Sequence, residues 1–131
     1  MGDRANVFIP MIGADFKTPS GVYLYDHWGG ATLPYHVQSA LARRQRWDHD
    51  CYLARMIYCE MIRNQDFDDE CGPAICSHRP DNEHPVIVVN CNTQKVGFAM
   101  EGQEPRCYIE WTFDEYVALD AAQLRKDWEK D

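Results

Sequence analysis

The chain has 131 residues, of which 45% are hydrophobic and 12% aromatic, a length and apolar content that suit a single domain spanning residues 1–131. Its formal net charge is −8, from 21 acidic and 13 basic residues. This balance argues against general binding of nucleic acid or of an anionic membrane, because both need a basic face. It allows an acidic surface that competes for a basic groove on another protein.

The composition also bears on the expected compartment. The first residues, MGDRAN, lack an apolar signal core, and no apolar run approaches the ~18 residues that span a bilayer. A cytoplasmic protein is therefore expected, with no membrane association. Six cysteines stand at irregular spacings, and without a secretory signal they are expected to be reduced thiols packed as small apolar side chains.

The first half of the chain predicts two strands and then two helices. A short strand over residues 6–9 precedes a strand over 22–26, whose side chains alternate between two faces. The first helix is expected over about 33–45 and the second over about 49–63. Their expected N-caps are Thr32 and Asp48.

The second half predicts four strands and a final helix. The strands are expected at 73–77, 86–89, 96–100 and 107–111, and the apolar run 86–89 indicates burial on both faces. Thr112 and Glu115 form a capping box that opens the last helix. The predicted fold is α+β, with a largely antiparallel sheet in the order β-β-α-α-β-β-β-β-α and helices packed on one face.

The stretch 23–34 predicts a strand, a glycine turn and a helix start. We expect a pocket here, because free N–H groups and the positive end of a helix attract anions. Aromatic rings and polar groups would line this pocket, contributed by Tyr23, Tyr25, His27, Trp28, Gly29 and Gly30. The alternative is a tight corner in which Trp28 fills the core and the glycines only permit the turn.

Six short stretches carry a resemblance to a known family. They are YLY at 23–25, HWGG at 27–30, LP at 33–34, RWD at 46–48, YLAR at 52–55 and DNE at 81–83. In this order they resemble a family of small proteins encoded by bacteriophages and prophages, over about residues 20–100. The resemblance implies a protein made inside an infected bacterium, where small accessory proteins often inhibit or sequester host components. It implies no particular activity, and the run CGPAICS at 71–77 departs from the Thr-Gly-Tyr-Gly-Ile-Ser-like run expected there.

Five residues that are close in sequence are candidate metal ligands: Cys71, Cys76, His78, His84 and Cys91. Structural zinc sites usually contain two tight pairs of ligands. Four residues separate Cys71 from Cys76, and Cys76 is too close to His78 for such a pair. We therefore expect no metal site and no cofactor, but buried thiols and surface imidazoles.

For a hydrolase, the candidate general base is His27, which could act together with Asp81 or Glu83. No nucleophile elbow or paired-carboxylate signature supports one mechanism. The segment 81–83 could instead pair with Arg46 or Arg55, or form an Asx-type turn with solvated side chains.

Our preferred interpretation is a phage-type accessory protein that binds and inhibits a host protein, such as an antiviral defence protein, without catalysis. The first alternative is a binder that sequesters a small anionic ligand, such as a nucleotide signal, in the 23–34 pocket. The second is a small hydrolase that uses His27. A homodimer through an unpaired edge strand is also open. The candidate binding residues are Tyr23, Tyr25, His27, Trp28, Gly29, Gly30, Arg55, Asp81 and Glu83.

Overall fold

In the computed structural model of this chain, residues 2–11, 20–63 and 72–129 are described. Cys71, weighed above as a metal ligand, lies outside these residues. The described part of the chain forms six strands and four helices. In chain order they are β1 (Ala5–Pro10), β2 (Gly21–Asp26), α1 (Leu33–Leu41), α2 (Asp50–Ile62), β3 (Pro73–Cys76), β4 (Val86–Asn90), β5 (Lys95–Ala99), β6 (Ile109–Thr112), α3 (Phe113–Ala118) and α4 (Ala121–Trp128).

The strands form one mixed sheet in the order β3-β2-β1-β4-β5-β6. Strands β1 and β4 are parallel, and the other neighbours are antiparallel. The predicted α+β class and the largely antiparallel sheet are therefore confirmed. Parallel strands need a long connection. Here α1, α2 and β3 lie between β2 and β4, so β4 can start at the same end of the sheet as β1 and run in the same direction.

The main core lies between one face of the sheet and the helices. Leu24, Ile87 and Phe98 on the strands are buried there, together with Val37 of α1 and Ile57 of α2. The opposite face carries a smaller apolar cluster of Phe8, Val86, Val88 and Ala99, with Tyr23 and Cys107 packed against it. Strand β4 is therefore buried on both faces, as its continuous apolar run predicts.

The capping predictions fared differently at the three helix starts. Thr112 accepts from the Glu115 N–H at 3.1 Å and Glu115 from the Thr112 N–H at 2.8 Å, which confirms the capping box. Thr32 holds the N-cap position of α1, but its hydroxyl donates to the Gly29 carbonyl oxygen. Asp48 is not the N-cap of α2, because His49 occupies that position without a side-chain bond.

Two predicted helix boundaries were wrong for identifiable reasons. Helix α1 ends at Leu41, and the backbone of Arg44 and Arg46 then enters the left-handed region, with φ of 55° and 61°. The predicted single C-terminal helix is divided into α3 and α4, because Leu119 is extended and the Asp120 carboxylate accepts from the Gln123 N–H at 2.8 Å. Asp120 therefore begins a new helix where apolar spacing alone suggests continuity.

Among the described residues, no helix combines the length and the apolar character that crossing a bilayer requires.

Candidate functional site

The predicted turn after β2 is organised by a buried carboxylate. Asp26 is only 3% exposed, and its Oδ1 accepts from the N–H groups of Trp28 at 3.1 Å and Gly29 at 2.9 Å. This is an Asx-type turn. A Cβ built at Gly29 would lie 2.3 Å from Asp26 Oδ2, so glycine is needed for the carboxylate to reach these amides.

Three rings follow one another along this turn. The Tyr25 hydroxyl lies 2.8 Å from His27 Nδ1, and the His27 ring meets the Trp28 ring at 82° with centroids 4.4 Å apart. Trp28 is 51% exposed, so it does not fill the core. The structure thus brings Tyr25, His27 and Trp28 into contact and presents the indole to solvent.

The turn that leads into α1 has an anionic partner within the chain itself. An Asp3 carboxylate oxygen accepts from the Ala31 N–H at 2.8 Å, and the Asp3 carbonyl accepts from the Gly30 N–H at 2.8 Å. The Thr32 N–H is bonded to the Gly29 carbonyl at 3.0 Å. The carboxylate that the physical argument assigns to this position is therefore Asp3, which sequence reasoning missed.

Gly30 lies where three segments meet. Asp3 Oδ1 is 2.5 Å from His84 Nε2, and the His84 ring stacks on Trp128 at 10° with centroids 5.0 Å apart. The Trp128 indole N–H donates to the Gly30 carbonyl at 2.9 Å. A Cβ at Gly30 would lie 2.6 Å from both the Asp3 carbonyl oxygen and His84 Nε2, so a larger residue would push these segments apart.

The segment 81–83 is held by the start of β1. The Glu83 N–H donates to the Arg4 carbonyl at 2.8 Å, and Glu83 Oε1 lies 3.5 Å from the Arg4 guanidinium. Asn6 donates to the Asp81 carbonyl at 3.3 Å. Glu83 thus pairs with Arg4 and not with Arg46 or Arg55.

The groups proposed for hydrolysis are only partly brought together. Burial raises the pKa of Tyr25, Arg4 partly opposes this, and the negative charge of Asp81 adds to it. Asp81 therefore lies near the ring that holds His27. Among the described residues, however, no hydrogen bond or ion pair joins His27 to Asp81 or Glu83.

Tyr23 lies on the same face of β2 but belongs to a different contact. Its hydroxyl donates to Glu104 Oε2 at 2.8 Å, and Arg79 donates to the same oxygen at 2.7 Å. The Glu104 side chain is only 4% exposed. Burial raises the pKa of this carboxyl, but the bonds from Arg79 and Tyr23 outweigh burial and hold the pKa below its usual range. Tyr23 thus anchors the loop that contains Glu104.

A groove of about 640 Å³ opens beside this loop. It lies between the segment that follows Asn82, the end of β5, the start of β6 and α4. It is lined by Asn82, Glu83, His84, Pro85, Met100, Glu101, Tyr108, Ile109 and Asp127. His84 connects the groove to the turn that carries Trp28, because its ring contacts Asp3. Of the predicted site residues, Glu83 is the one that lines the groove.

Arg55 lies away from the other predicted site residues. It lines a separate pocket of about 310 Å³ between α2 and the α1–α2 connection. The prediction therefore grouped residues that the fold distributes over two surfaces.

The potential metal ligands that the fold brings together differ from the five residues that are close in sequence. Within the described residues, the group that brings N, O and S ligand atoms within 4.8 Å of one another is His49, Asp50 and Cys51. The five described cysteines, at 51, 59, 76, 91 and 107, are free thiols. Burial raises the pKa of Cys91 and of Cys107 to about 12, so both remain protonated and are poor ligands.

Comparison with protein-family models, with curated proteins and with solved structures finds no significant match for this chain. The site is therefore interpreted from its own geometry.

Proposed function

We propose that this chain is a non-catalytic binding protein whose groove receives an apolar and basic segment of a partner protein. The phage-family resemblance suggests a partner in an infected bacterium, which the bound protein would inhibit. The observation that carries the proposal is the groove that follows Asn82, in which exposed apolar side chains lie among carboxylates.

The apolar part of the groove supports binding of a partner. Met100 is 62% exposed and Tyr108 is 49% exposed, and half-buried Ile109 lies beside them. Large apolar side chains that share a concave surface favour a binding site over scattered exposure. The loop between Met100 and Tyr108 is anchored through the Glu104 bonds, so these side chains are already positioned before a partner binds.

The charges of the groove define the partner's chemistry. Glu83, Glu101 and Asp127 line it, and none of its lining residues is Lys or Arg. Arg4 lies 3.5 Å from Glu83 and Arg79 lies 3.5 Å from Glu101, whereas the recorded partner of Asp127 is the neutral Gln123 amide at 3.0 Å. A lysine or arginine of the partner would complement this excess of negative charge.

Tyr108 offers a hydrogen-bond donor beside these carboxylates. Burial raises the pKa of its hydroxyl, and the negative charge of Asp127 raises it further. The hydroxyl therefore keeps its proton at neutral pH. Trp28 lies outside the groove, on the turn that the Asp3–His84 contact joins to it, and its exposed ring offers a second aromatic contact of the kind typical of strong interface positions.

The alternative functions have less support from the described residues. A hydrolase would need His27 to contact Asp81 or Glu83, whereas its ring contacts Tyr25 and Trp28. A phosphate in the turn before α1 would need the N–H groups of Gly30 and Ala31, which Asp3 already uses.

The proposal is tested with fluorescently labelled peptides in anisotropy titrations. Peptides that contain lysine or arginine beside leucine or phenylalanine are compared with acidic peptides of the same apolar content. The basic peptides are expected to bind, and to bind more weakly as salt is raised. Asp127→Asn and Tyr108→Ala should each weaken binding by about tenfold, which corresponds to about 1.4 kcal/mol. Glu129→Gln, at the C-cap of the same helix but outside the groove, serves as the matched control.

Equal binding of acidic and basic peptides would contradict the proposal, as would an equal loss in Glu129→Gln. A photo-reactive residue at position 100 then identifies the partner in bacterial extract. The same residue at position 75, where the exposed Ile75 lies on edge strand β3, is the control for non-specific capture.

A further inference from the structure

A second pocket, which is basic, lies between α2 and the α1–α2 connection and contains Arg55. Helix α2 contributes Tyr52, Arg55, Met56 and Cys59, which fall on one stripe because their spacing matches the helical repeat. The α1–α2 connection folds over this stripe and contributes Arg43, Gln45 and Arg46. The pocket has a volume of about 310 Å³, within the lower range of small-molecule sites.

The arginines of this region are not equivalent. Arg44 is bound to Asp114 at 2.5 Å and lies over the Trp47 ring, so its charge is used within the fold. Arg43 contacts Glu60 at 2.9 Å, and Glu60 is shared with Arg63 at 2.7 Å. One carboxylate therefore serves two guanidinium groups, which leaves an excess of positive charge beside the pocket.

Arg46 and Arg55 have no ion-pair partner among the described residues. The Arg46 guanidinium lies over the Tyr52 ring, 4.7 Å from its centroid, which fixes its position without neutralising it. Arg55 is exposed on α2 at the same pocket. Within the described ranges, this small pocket therefore holds two guanidinium groups without an ion-pair partner, in a chain whose net charge is −8.

Two arginines of the α1–α2 connection have an unusual backbone conformation. Arg44 and Arg46 adopt φ of 55° and 61°, a left-handed conformation that costs a residue with a Cβ roughly 1 kcal/mol or more. Glycine or asparagine would adopt it more readily. The Arg44 side chain has a role within the fold through Asp114 and Trp47, whereas the Arg46 guanidinium is held over Tyr52 at the pocket.

We propose that this arginine pocket, formed by Arg43, Arg46, Arg55 and Tyr52, binds the phosphoryl group of a small molecule such as a nucleotide. Guanidinium groups match phosphate oxygens with two parallel hydrogen bonds, which makes arginine suited to phosphate recognition. The ligand is a small molecule and not a nucleic acid, because the net charge of −8 repels an extended polyanion beyond the pocket.

This site is separate from the groove. None of its lining residues lines the groove that follows Asn82, so each can fail or succeed alone. It also differs from the turn before α1, where Asp3 uses the N–H groups of Gly30 and Ala31.

The test is calorimetric titration of the full chain with pyrophosphate, ADP and ATP, with adenosine and sodium chloride at matched ionic strength as controls. The phosphoryl compounds are expected to bind saturably and the controls not to bind. Arg46→Gln and Arg55→Gln should each weaken binding by about tenfold or more. Arg125→Gln is the matched control, because Arg125 is an exposed arginine of α4 whose partner is Glu129. Circular dichroism checks that each variant is folded.

The same experiment distinguishes a nucleotide from inorganic pyrophosphate as the source of the phosphoryl group. Tighter binding of ADP than of pyrophosphate indicates a nucleotide, and equal binding indicates that the phosphoryl chemistry alone is recognised. Absence of saturable binding, equal binding of adenosine, or an equal loss in Arg125→Gln would overturn the proposal. Tighter binding of a single-stranded oligonucleotide than of ADP would overturn the choice of a small molecule.

Discussion

The imidazole of His84 and the carboxylate of Asp3 lie 2.5 Å apart although 81 positions separate them in the sequence. This contact joins the N-terminal segment to the groove and, through the bond from the Ala31 N–H to Asp3, to the turn before α1. Asp3 therefore supports both the groove and the turn on which Trp28 is exposed.

Replacing Asp3 by alanine should loosen this support. Asp3→Ala removes the acceptor of the Ala31 N–H and the partner of His84. We expect the free energy of unfolding to fall by about 1–2 kcal/mol, at the low end for charged hydrogen bonds because the Asp3 side chain is 41% exposed. Urea unfolding measures the change. Asp48→Ala, at an exposed aspartate, is the control, and an equal effect of both variants would contradict the role of Asp3.

Gly30→Ala should destabilise the fold through a steric clash. The added Cβ would lie 2.6 Å from the Asp3 carbonyl oxygen, a backbone atom that cannot rotate away. We expect a loss of about 1–3 kcal/mol, as for overpacked sites. Gly102→Ala is the comparison, because nothing lies within 4 Å of its Cβ and only its φ of 87° is unfavourable. Thermal unfolding of the two variants separates the clash from the backbone cost, and a fully stable Gly30→Ala would exclude the clash.

The buried Glu104 predicts a pH dependence of stability. Its pKa is lower in the folded state than in the unfolded chain, so its contribution is complete above the unfolded value of about 4.5. The contribution is lost as the pH falls through the folded pKa. Glu104→Gln should be about 2 kcal/mol less stable than the unchanged protein at neutral pH, because Arg79 and Tyr23 lose a charged acceptor.

The difference between Glu104→Gln and the unchanged protein should shrink as the pH falls below about 4.5 and through the lowered pKa of the folded state, because the carboxyl then becomes protonated in the folded protein as well. Urea midpoints over a series of pH values from neutral to acid measure it. Glu129→Gln should change little at either pH, because Glu129 is an exposed partner of Arg125. A constant difference for Glu104→Gln across this range would show that its charge does not contribute.

Trp28 should matter for binding but little for folding. Its ring is 51% exposed, so Trp28→Ala should leave the unfolding midpoint nearly unchanged. Affinity for the partner of the groove should fall by about 2 kcal/mol, or roughly thirtyfold. Tyr52→Ala removes an exposed aromatic ring on the other surface and should leave partner binding intact. Equal affinities of Trp28→Ala and the unchanged protein would remove the indole from the interface.

Much of the fold was predictable because its signals are local. The alternation over β2, the apolar run of β4 and the capping box at Thr112 depend on residues a few positions apart, and all three were confirmed. The turn after β2 was also predicted, from the adjacent glycines Gly29 and Gly30, but the bond from the Gly29 N–H to Asp26 that organises it was not. The division between α3 and α4 was missed because the apolar spacing continues across Asp120.

The functional surfaces depended on contacts that no local pattern records. Apolar periodicity, turn residues and net charge by themselves determined the α+β class, most strands and helices, and the rings around His27. Only the tertiary structure decided that Asp3 binds the turn before α1, that Glu83 lines a groove with Met100 and Tyr108, and that Arg55 belongs to a separate basic pocket. The physical reason is that spacing fixes which side chains share a face of one element, whereas packing of distant elements fixes which faces meet.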